Sequence, residues 1–151
     1  MFSTVRYFIK TSLTFLFVGI ATGLYMSVVR HLFEWGLPPD LISAHAHVIL
    51  VGTVMMMIMG VALWLFPKAP AEDTRYNPEL IRVAYWIITL ATAVRFLAQT
   101  TVAFIEAREL RWIIAAASFF QVAAFGLYAF SMWGRIRAAG SALREAHGER
   151  F

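Results

Sequence analysis

Residues 43–67 read SAHAHVILVGTVMMMIMGVALWLFP and place His45 and His47 near the start of an otherwise apolar helix. The segment is long enough to cross a bilayer, for which about 20 apolar residues suffice. A polar side chain that can bind a metal is costly in hydrocarbon and is treated as a functional site by default. Because neutral imidazole is a usual protein ligand of haem iron, both histidines are candidate ligands.

The composition of the chain is that of a membrane protein. Its 151 residues suffice for one domain, and 60% of them are hydrophobic and 15% charged, whereas soluble domains have about 25% charged residues. The basic residues are spread over the segment ends and are not interleaved with aromatic residues, so we expect a lipid bilayer and no nucleic acid as partner. The absence of cysteine excludes disulfides, iron–sulfur clusters and covalently attached c-type haem.

Four apolar segments predict an all-α integral membrane protein, an up-down bundle of four transmembrane helices. We expect the first helix over Thr11–Val29, retained and not cleaved as a signal peptide. The second is expected to start at an N-cap, Asp40 or Ser43, and to end at Phe66. The third and fourth are expected over residues 78–105 and 112–135. Residues 1–137 would form the membrane domain and residues 138–151 a cytoplasmic polar tail.

The distribution of lysine and arginine predicts the orientation in the membrane, because cytoplasmic loops carry the excess of basic residues. Nine cations lie at one end of the segments and three at the other, so both termini are expected to be cytoplasmic in a bacterial-type inner membrane. The larger group is Arg6, Lys10, Lys68, Arg75, Arg82, Arg135, Arg137, Arg144 and Arg150, and the smaller group is Arg30, Arg108 and Arg111. The small residues Gly19, Ala21, Gly23, Ala115, Ala116 and Ala117 would allow close helix packing.

His45 and His47 are separated by two positions and therefore point to nearly opposite sides of a regular helix. They cannot both be axial ligands of the same haem within one chain. One is expected to face the bundle interior, and the other a neighbouring helix, a second site or the interface. The alternative is that both are polar residues at a helix start, hydrogen-bonded to the preceding loop. A metal other than haem iron is a further alternative.

Arg95 is the second candidate, since it lies in the outer half of the third helix, about a turn deeper than His47. A cation there must face the interior and find a partner, or extend toward the membrane surface. Gln99 lies one turn away and Gln121 lies at a similar depth on the fourth helix. Arg95 and Gln121 are therefore predicted either to clamp helices together or to bind an anionic cofactor group such as a haem propionate. The other candidates are weaker: His31 is expected in a loop, and Met55, Met56, Met57 and Met59 are expected to be packing residues and not copper ligands.

The stretch from Ser43 through His45, the methionine-rich sequence and Gly60 to Trp64-Leu-Phe-Pro67 resembles the second helix of the catalytic subunit of haem-copper oxidases and nitric oxide reductases. The resemblance implies that His45 is an axial ligand of a low-spin haem near the outer membrane face. The other metal ligands of that family lie on later helices, which have no counterpart in these residues. The resemblance therefore implies haem binding without the binuclear centre of an oxidase, which favours a redox haem protein over an enzyme.

These observations predict a small membrane protein that binds b-type haem and transfers electrons in or beside a respiratory chain. The second axial ligand would come from His31, from a methionine such as Met26 or from a second copy of the chain, or the position would stay open. A homo-oligomer or contact with respiratory-complex subunits is expected, because symmetric pairing supplies paired histidines from one sequence. The alternatives are a haem-based gas sensor or haem carrier, and a cofactor-free structural subunit.

Overall fold

In a computed structural model, the described residues are 3–67, 76–136 and 147, and all their regular structure is helical. The four long helices are α1 (Ser3–His31), α2 (Pro39–Leu65), α3 (Pro78–Val102) and α4 (Arg108–Met132), and one 3₁₀ turn (Trp133–Arg135) follows α4. Each of the four is long and apolar enough to cross a membrane. The predicted all-α class and the four segments are thus confirmed, whereas the predicted tail, apart from His147, lies outside the described residues.

The helix bounds differ from the apolar segments from which they were predicted, and the third helix ends at Val102, three positions before its expected end. α1 begins at Ser3, eight positions before the expected start, and α4 begins at Arg108. The charged residues at these ends continue the helix, and Glu109 in the first turn of α4 interacts favourably with the positive end of the helix dipole. The third helix begins as expected at Pro78, with Asn77 Oδ1 accepting a hydrogen bond from the Glu79 amide at 2.9 Å.

The start of α2 differs from the prediction that Asp40 or Ser43 is its N-cap. Pro38 occupies the cap position without a side-chain hydrogen bond, and Pro39 is the first helical residue. Proline fits there because the first amide of a helix has no intrahelical acceptor. Asp40 lies inside the first turn. The hydroxyl of Ser43 accepts a hydrogen bond from a side chain of α3 instead.

The middle of α2 is a π-helix over Val48–Met55, between α-helical parts Pro39–His47 and Met56–Leu65. The Thr53 hydroxyl donates to the Val48 carbonyl five residues earlier, at 3.3 Å. π-Helical turns are rare and often lie at functional sites. Here the π segment follows directly after His47.

The glycines of α1 and α2 allow these two helices to approach closely. A Cβ added to Gly19 would collide with the Ile49 side chain, and a Cβ on Gly52 would lie 2.8 Å from Phe15 Cγ. The expectation for Gly19 and Gly23 is therefore confirmed. Of the three alanines on α4, only Ala117 is buried, while Ala115 and Ala116 are exposed.

The apolar core is formed by buried side chains from all four long helices. It includes the buried side chains of Phe8 on α1, Met56 on α2, Ile88 on α3 and Met132 on α4. Apart from this core, α2, α3 and α4 share a set of hydrogen-bonded polar side chains. In the most apolar stretch of 18 residues in each helix, 39% of the residues of α2 and 33% of those of α3 are buried, against 17% for α1 and for α4. α2 and α3 are therefore the central helices.

Candidate functional site

Arg95 on α3 is held by two glutamines. Its Nε donates to Gln99 Oε1 at 3.3 Å, and its Nη1 donates to Gln121 Oε1 on α4 at 3.1 Å. Both glutamine side chains are buried, with exposed fractions of 4% and 3%. The expected contact between Arg95 and Gln121 is therefore present. Within residues 3–67 and 76–136, Arg95 forms no ion pair, and Arg82 with Glu79 is the pair found there.

Each glutamine also donates a hydrogen bond to a hydroxyl group. Gln99 Nε2 donates to Ser43 Oγ on α2 at 3.0 Å, and Gln121 Nε2 donates to Thr92 Oγ1 at 3.0 Å. We call these five residues (Ser43, Thr92, Arg95, Gln99 and Gln121) the polar layer. The layer links α2, α3 and α4, and it fixes the amide orientations because each glutamine oxygen accepts from Arg95 while each nitrogen donates to a hydroxyl.

Ser43 and Thr92 were not predicted as members of this layer. Thr92, Arg95 and Gln99 are spaced at i, i+3 and i+7 and therefore share one face of α3. That polar stripe in an apolar helix is a signal from which Thr92 could have been found. Ser43 carries no such signal, because its partner Gln99 is 56 residues away.

His47 is joined to the polar layer through the main chain of Ser43. Its Nδ1 lies 2.9 Å from the Ser43 carbonyl oxygen, one helical turn earlier. A carbonyl oxygen can only accept a hydrogen bond, so Nδ1 carries the hydrogen. The side chain is partly buried.

His45 lies on the other side of α2, against α1. A Cβ built on Gly23 would lie 3.1 Å from His45 Cε1, 3.7 Å from Nε2 and 3.8 Å from Nδ1. The Nδ1 atom is buried and has no hydrogen-bond partner. His45 thus faces α1, whereas His47 bonds to the carbonyl of Ser43, whose hydroxyl contacts α3.

The four predicted site residues are therefore divided between two places. Arg95 and Gln121 are in direct contact, His47 is connected to them through Ser43 and Gln99, and His45 is separate. An apolar groove of about 400 Å³ lies between α3 and α4 beside Leu90, Val94, Ala116 and Phe120. None of the four predicted residues lines that groove.

The weaker candidates behave as packing or surface residues. Met56 and Met59 are buried in the core, Met57 Sδ lies 3.7 Å from the Ser12 hydroxyl, and His31 is exposed. In the part of the chain that the structure describes, no three His, Cys, Asp or Glu side chains lie together as a metal-binding group.

Arg135 was predicted only as a cytoplasmic cation, but it is a buried link between α4 and the end of α2. Its exposed fraction is 5%. Nε donates to the Pro67 carbonyl at 2.8 Å, and Nη2 donates to the carbonyls of Leu63 at 3.0 Å and Phe66 at 2.7 Å. The guanidinium also lies 4.8 Å from the ring centroid of Tyr76. Arg135 thus satisfies carbonyls at the end of α2 that have no helical donor.

Comparison with known protein families, curated proteins and solved structures finds no match for this chain. The resemblance of residues 43–67 to the second helix of haem-copper oxidases therefore rests on those residues alone and stays a prediction.

Proposed function

We propose that the protein is integral to a bacterial-type inner membrane, with four spans in up-down order and both termini in the cytoplasm. Large apolar side chains on the outside of the bundle support insertion, for example Phe17 (76% exposed), Trp112 (78%) and Val122 (71%). Their exposed apolar area is larger than a soluble protein usually presents, and lipid would cover it. Val5 and Ile81, near the starts of α1 and α3, share one core with Leu63 and Met132, near the ends of α2 and α4. This sharing supports the up-down order.

We propose further that this membrane protein binds b-type haem through a histidine of α2, with His45 as the axial ligand that the resemblance implies. The observation that carries this proposal is the state of the His45 ring. Its Nδ1 is buried without a partner, which costs about 1–3 kcal/mol for an ordinary polar group. A buried group of this kind without a partner is a candidate for a functional role, as a ring nitrogen that a bound cofactor or its surroundings would satisfy. Gly23 leaves the ring space that a larger residue would fill.

Arg95 and Gln121 fit the role of a partner for an anionic group such as a haem propionate. The positive charge of Arg95 lies in an apolar span and is met by neutral amide oxygens, with no carboxylate bonded to it in the described residues. In such surroundings the charge is screened less than at a water-exposed surface. When bound, haem would supply one-electron chemistry, and the chain would contribute the imidazole, the cation and an apolar surrounding.

A single imidazole leaves one axial position of the iron to be filled. We propose that a second copy of the chain fills it, because symmetric pairing duplicates any ligand, and that the haem transfers electrons in or beside a respiratory chain. A cofactor-free structural subunit is the second candidate function. It is favoured by the polar layer, in which Gln99 and Gln121 already bond to Arg95 and hold α2, α3 and α4 together.

The absorption spectrum of the purified protein, with a haem assay, tests these proposals. Six-coordinate low-spin bands support electron transfer. A five-coordinate spectrum that changes with CO or NO supports a gas sensor or haem carrier instead. Absence of a Soret band in protein isolated from haem-sufficient cells contradicts haem binding and leaves the structural role.

The matched variants for this test are His45→Ala and His147→Ala. We expect His45→Ala to lower the haem-to-protein ratio sharply, whereas His147→Ala, at an exposed position, leaves it unchanged. Equal haem content in the wild type and in His45→Ala would refute the assignment of His45.

A further inference from the structure

The two histidines of α2 differ in how well their rings are prepared to bind a metal. Nδ1 of His47 carries the hydrogen, because its partner at 2.9 Å is a carbonyl oxygen. In the neutral ring, the lone pair is therefore on Nε2. His45 has no hydrogen bond at either ring nitrogen in the described part of the chain, so nothing there selects its tautomer.

The carbonyl group that orients His47 belongs to a residue that is itself anchored. Ser43 Oγ accepts from Gln99 Nε2 at 3.0 Å, and Gln99 Oε1 accepts from Arg95 Nε at 3.3 Å. Metal-binding histidines usually donate their second N–H to a carbonyl or carboxylate, which fixes the tautomer and the ring orientation. Ser43, Gln99 and Arg95 supply such an outer set of contacts for His47.

The Nε2 atom of His47 is not fully buried and makes no hydrogen bond within the described residues. Its lone pair is therefore not used by another residue of that part of the chain. The adjacent π-helical segment, Val48–Met55, is a local structure that is frequent at functional sites. The fixed tautomer and the anchored carbonyl belong to His47 and not to His45.

We infer that Nε2 of His47 is a metal-coordinating atom, suited to the iron of a haem and independent of His45. The inference rests on the proposed function for the identity of the metal group. It adds a second ligand on the side of α2 that contacts α3, with Gln99 and Ser43 as positioning residues. α2 thus offers imidazoles on two faces, one toward α1 and one toward the polar layer.

Nitrogen-15 NMR of histidine-labelled protein in micelles, free of haem, tests the tautomer. We expect the His47 signals of a ring protonated at Nδ1 with a free Nε2, assigned by their loss in His47→Ala. Zinc protoporphyrin, which takes one axial imidazole, is then added as a diamagnetic probe. We expect the His47 Nε2 signal to move in the wild type and equally in His45→Ala.

A His47 ring protonated at Nε2 alone would overturn the inference, as would a shift confined to His45. In the second case the proposed haem function survives, since it depends on the absorption spectrum of the purified protein and on His45. No shift at either histidine overturns the inference as well, and the spectrum then decides the proposed function separately.

Gln99→Leu and Gln121→Leu form a matched pair for the positioning role. Both remove a buried amide that accepts from Arg95, but only Gln99 also bonds to Ser43. Loss of such an outer contact typically weakens metal binding by about 10–100-fold. We expect Gln99→Leu to weaken zinc protoporphyrin binding in the His45→Ala background by about tenfold and to broaden the His47 signals, while Gln121→Leu changes both less. Equal effects of the two variants would contradict the positioning role of Gln99.

Discussion

Arg95 on α3 donates from Nη1 to Gln121 Oε1 on α4 across 3.1 Å, and no carboxylate bonds to this guanidinium in the described residues. Neutral partners leave the charge of Arg95 uncompensated, and in the proposed membrane setting it would be screened less than at a water-exposed surface. The arrangement also leaves the two glutamine oxygens dependent on one donor. The contact between Arg95 and Gln121 therefore combines a structural link with a fixed positive charge.

Replacement of Arg95 by leucine should affect both properties. Gln99 and Gln121 each lose a donor to a buried oxygen, and each loss is worth about 1–3 kcal/mol of unfolding free energy. If haem is bound nearby, its midpoint potential should fall, because a cation stabilises the reduced, less positive state. Thermal unfolding in micelles and a redox titration measure the two effects.

The control variant is Arg95→Lys, which keeps the positive charge but loses the branched guanidinium that contacts both glutamines. We expect its midpoint potential to stay closer to that of the wild type than its unfolding stability does. Unchanged potential and stability in Arg95→Leu would mean that Arg95 has neither role.

Gly23→Val should disturb His45 directly. A Cβ at Gly23 would lie 3.1 Å from His45 Cε1, so the ring must move away from α1 when two further methyl groups are added. Overpacking of this kind typically costs about 1–3 kcal/mol, and we expect a matching loss of haem if His45 is its ligand. The control is Gly126→Val, since a Cβ at Gly126 has no neighbour within 4 Å. Haem content that falls equally in both variants would argue against a specific contact between Gly23 and His45.

Arg135→Gln should destabilise the protein although the residue lies at the end of the last described helix. The variant removes donors from the carbonyls of Leu63, Phe66 and Pro67, at about 1–3 kcal/mol for each carbonyl left without a partner. Arg82→Gln is the matched control, because Arg82 pairs with Glu79 on the surface with side chains 53% and 67% exposed. Exposed pairs contribute about 0–1 kcal/mol. A melting temperature lowered no further by Arg135→Gln than by Arg82→Gln would show that the carbonyl contacts contribute little.

The helices and part of the polar layer could be predicted from the sequence because they depend on local patterns. Apolar runs define the four segments, and the depths of Arg95 and Gln121 along adjacent helices place them side by side. The helix ends were misplaced because charged residues such as Arg108 continue a helix as readily as they end an apolar run. The predicted N-cap of α2 was wrong because the helix already begins at Pro39, so that Asp40 lies in its first turn and Ser43 within the helix.

The remaining features depend on contacts that a linear pattern does not encode. The role of Arg135 depends on carbonyls 68 to 72 residues away, and any residue can offer a carbonyl. The π-helix of α2 depends on a shift in hydrogen-bond register that leaves the apolar composition of Val48–Met55 unchanged. Which histidine faces α1 depends on the packing of Gly23, and not on the spacing of His45 and His47 alone.

The proposed orientation can be tested with reporter fusions. Arg6, Lys10, Arg82 and Arg135 lie near the starts of α1 and α3 and just after α4, the helix ends that we assign to the cytoplasm. Arg30, Arg108 and Arg111 lie near the end of α1 and the start of α4. Arg135 is bonded to α2 carbonyls, so the excess of basic residues on that side depends more on Arg6, Lys10, Lys68 and Arg75.

We expect a fusion after Phe151 to be active with a cytoplasmic reporter and inactive with a periplasmic one, because the side richer in basic residues stays in the cytoplasm. A fusion within the loop between α1 and α2 should give the reverse result. A fusion after Phe151 that is active only outside the cytoplasm would contradict the orientation, and with it the placement of His45 and His47 near the outer face.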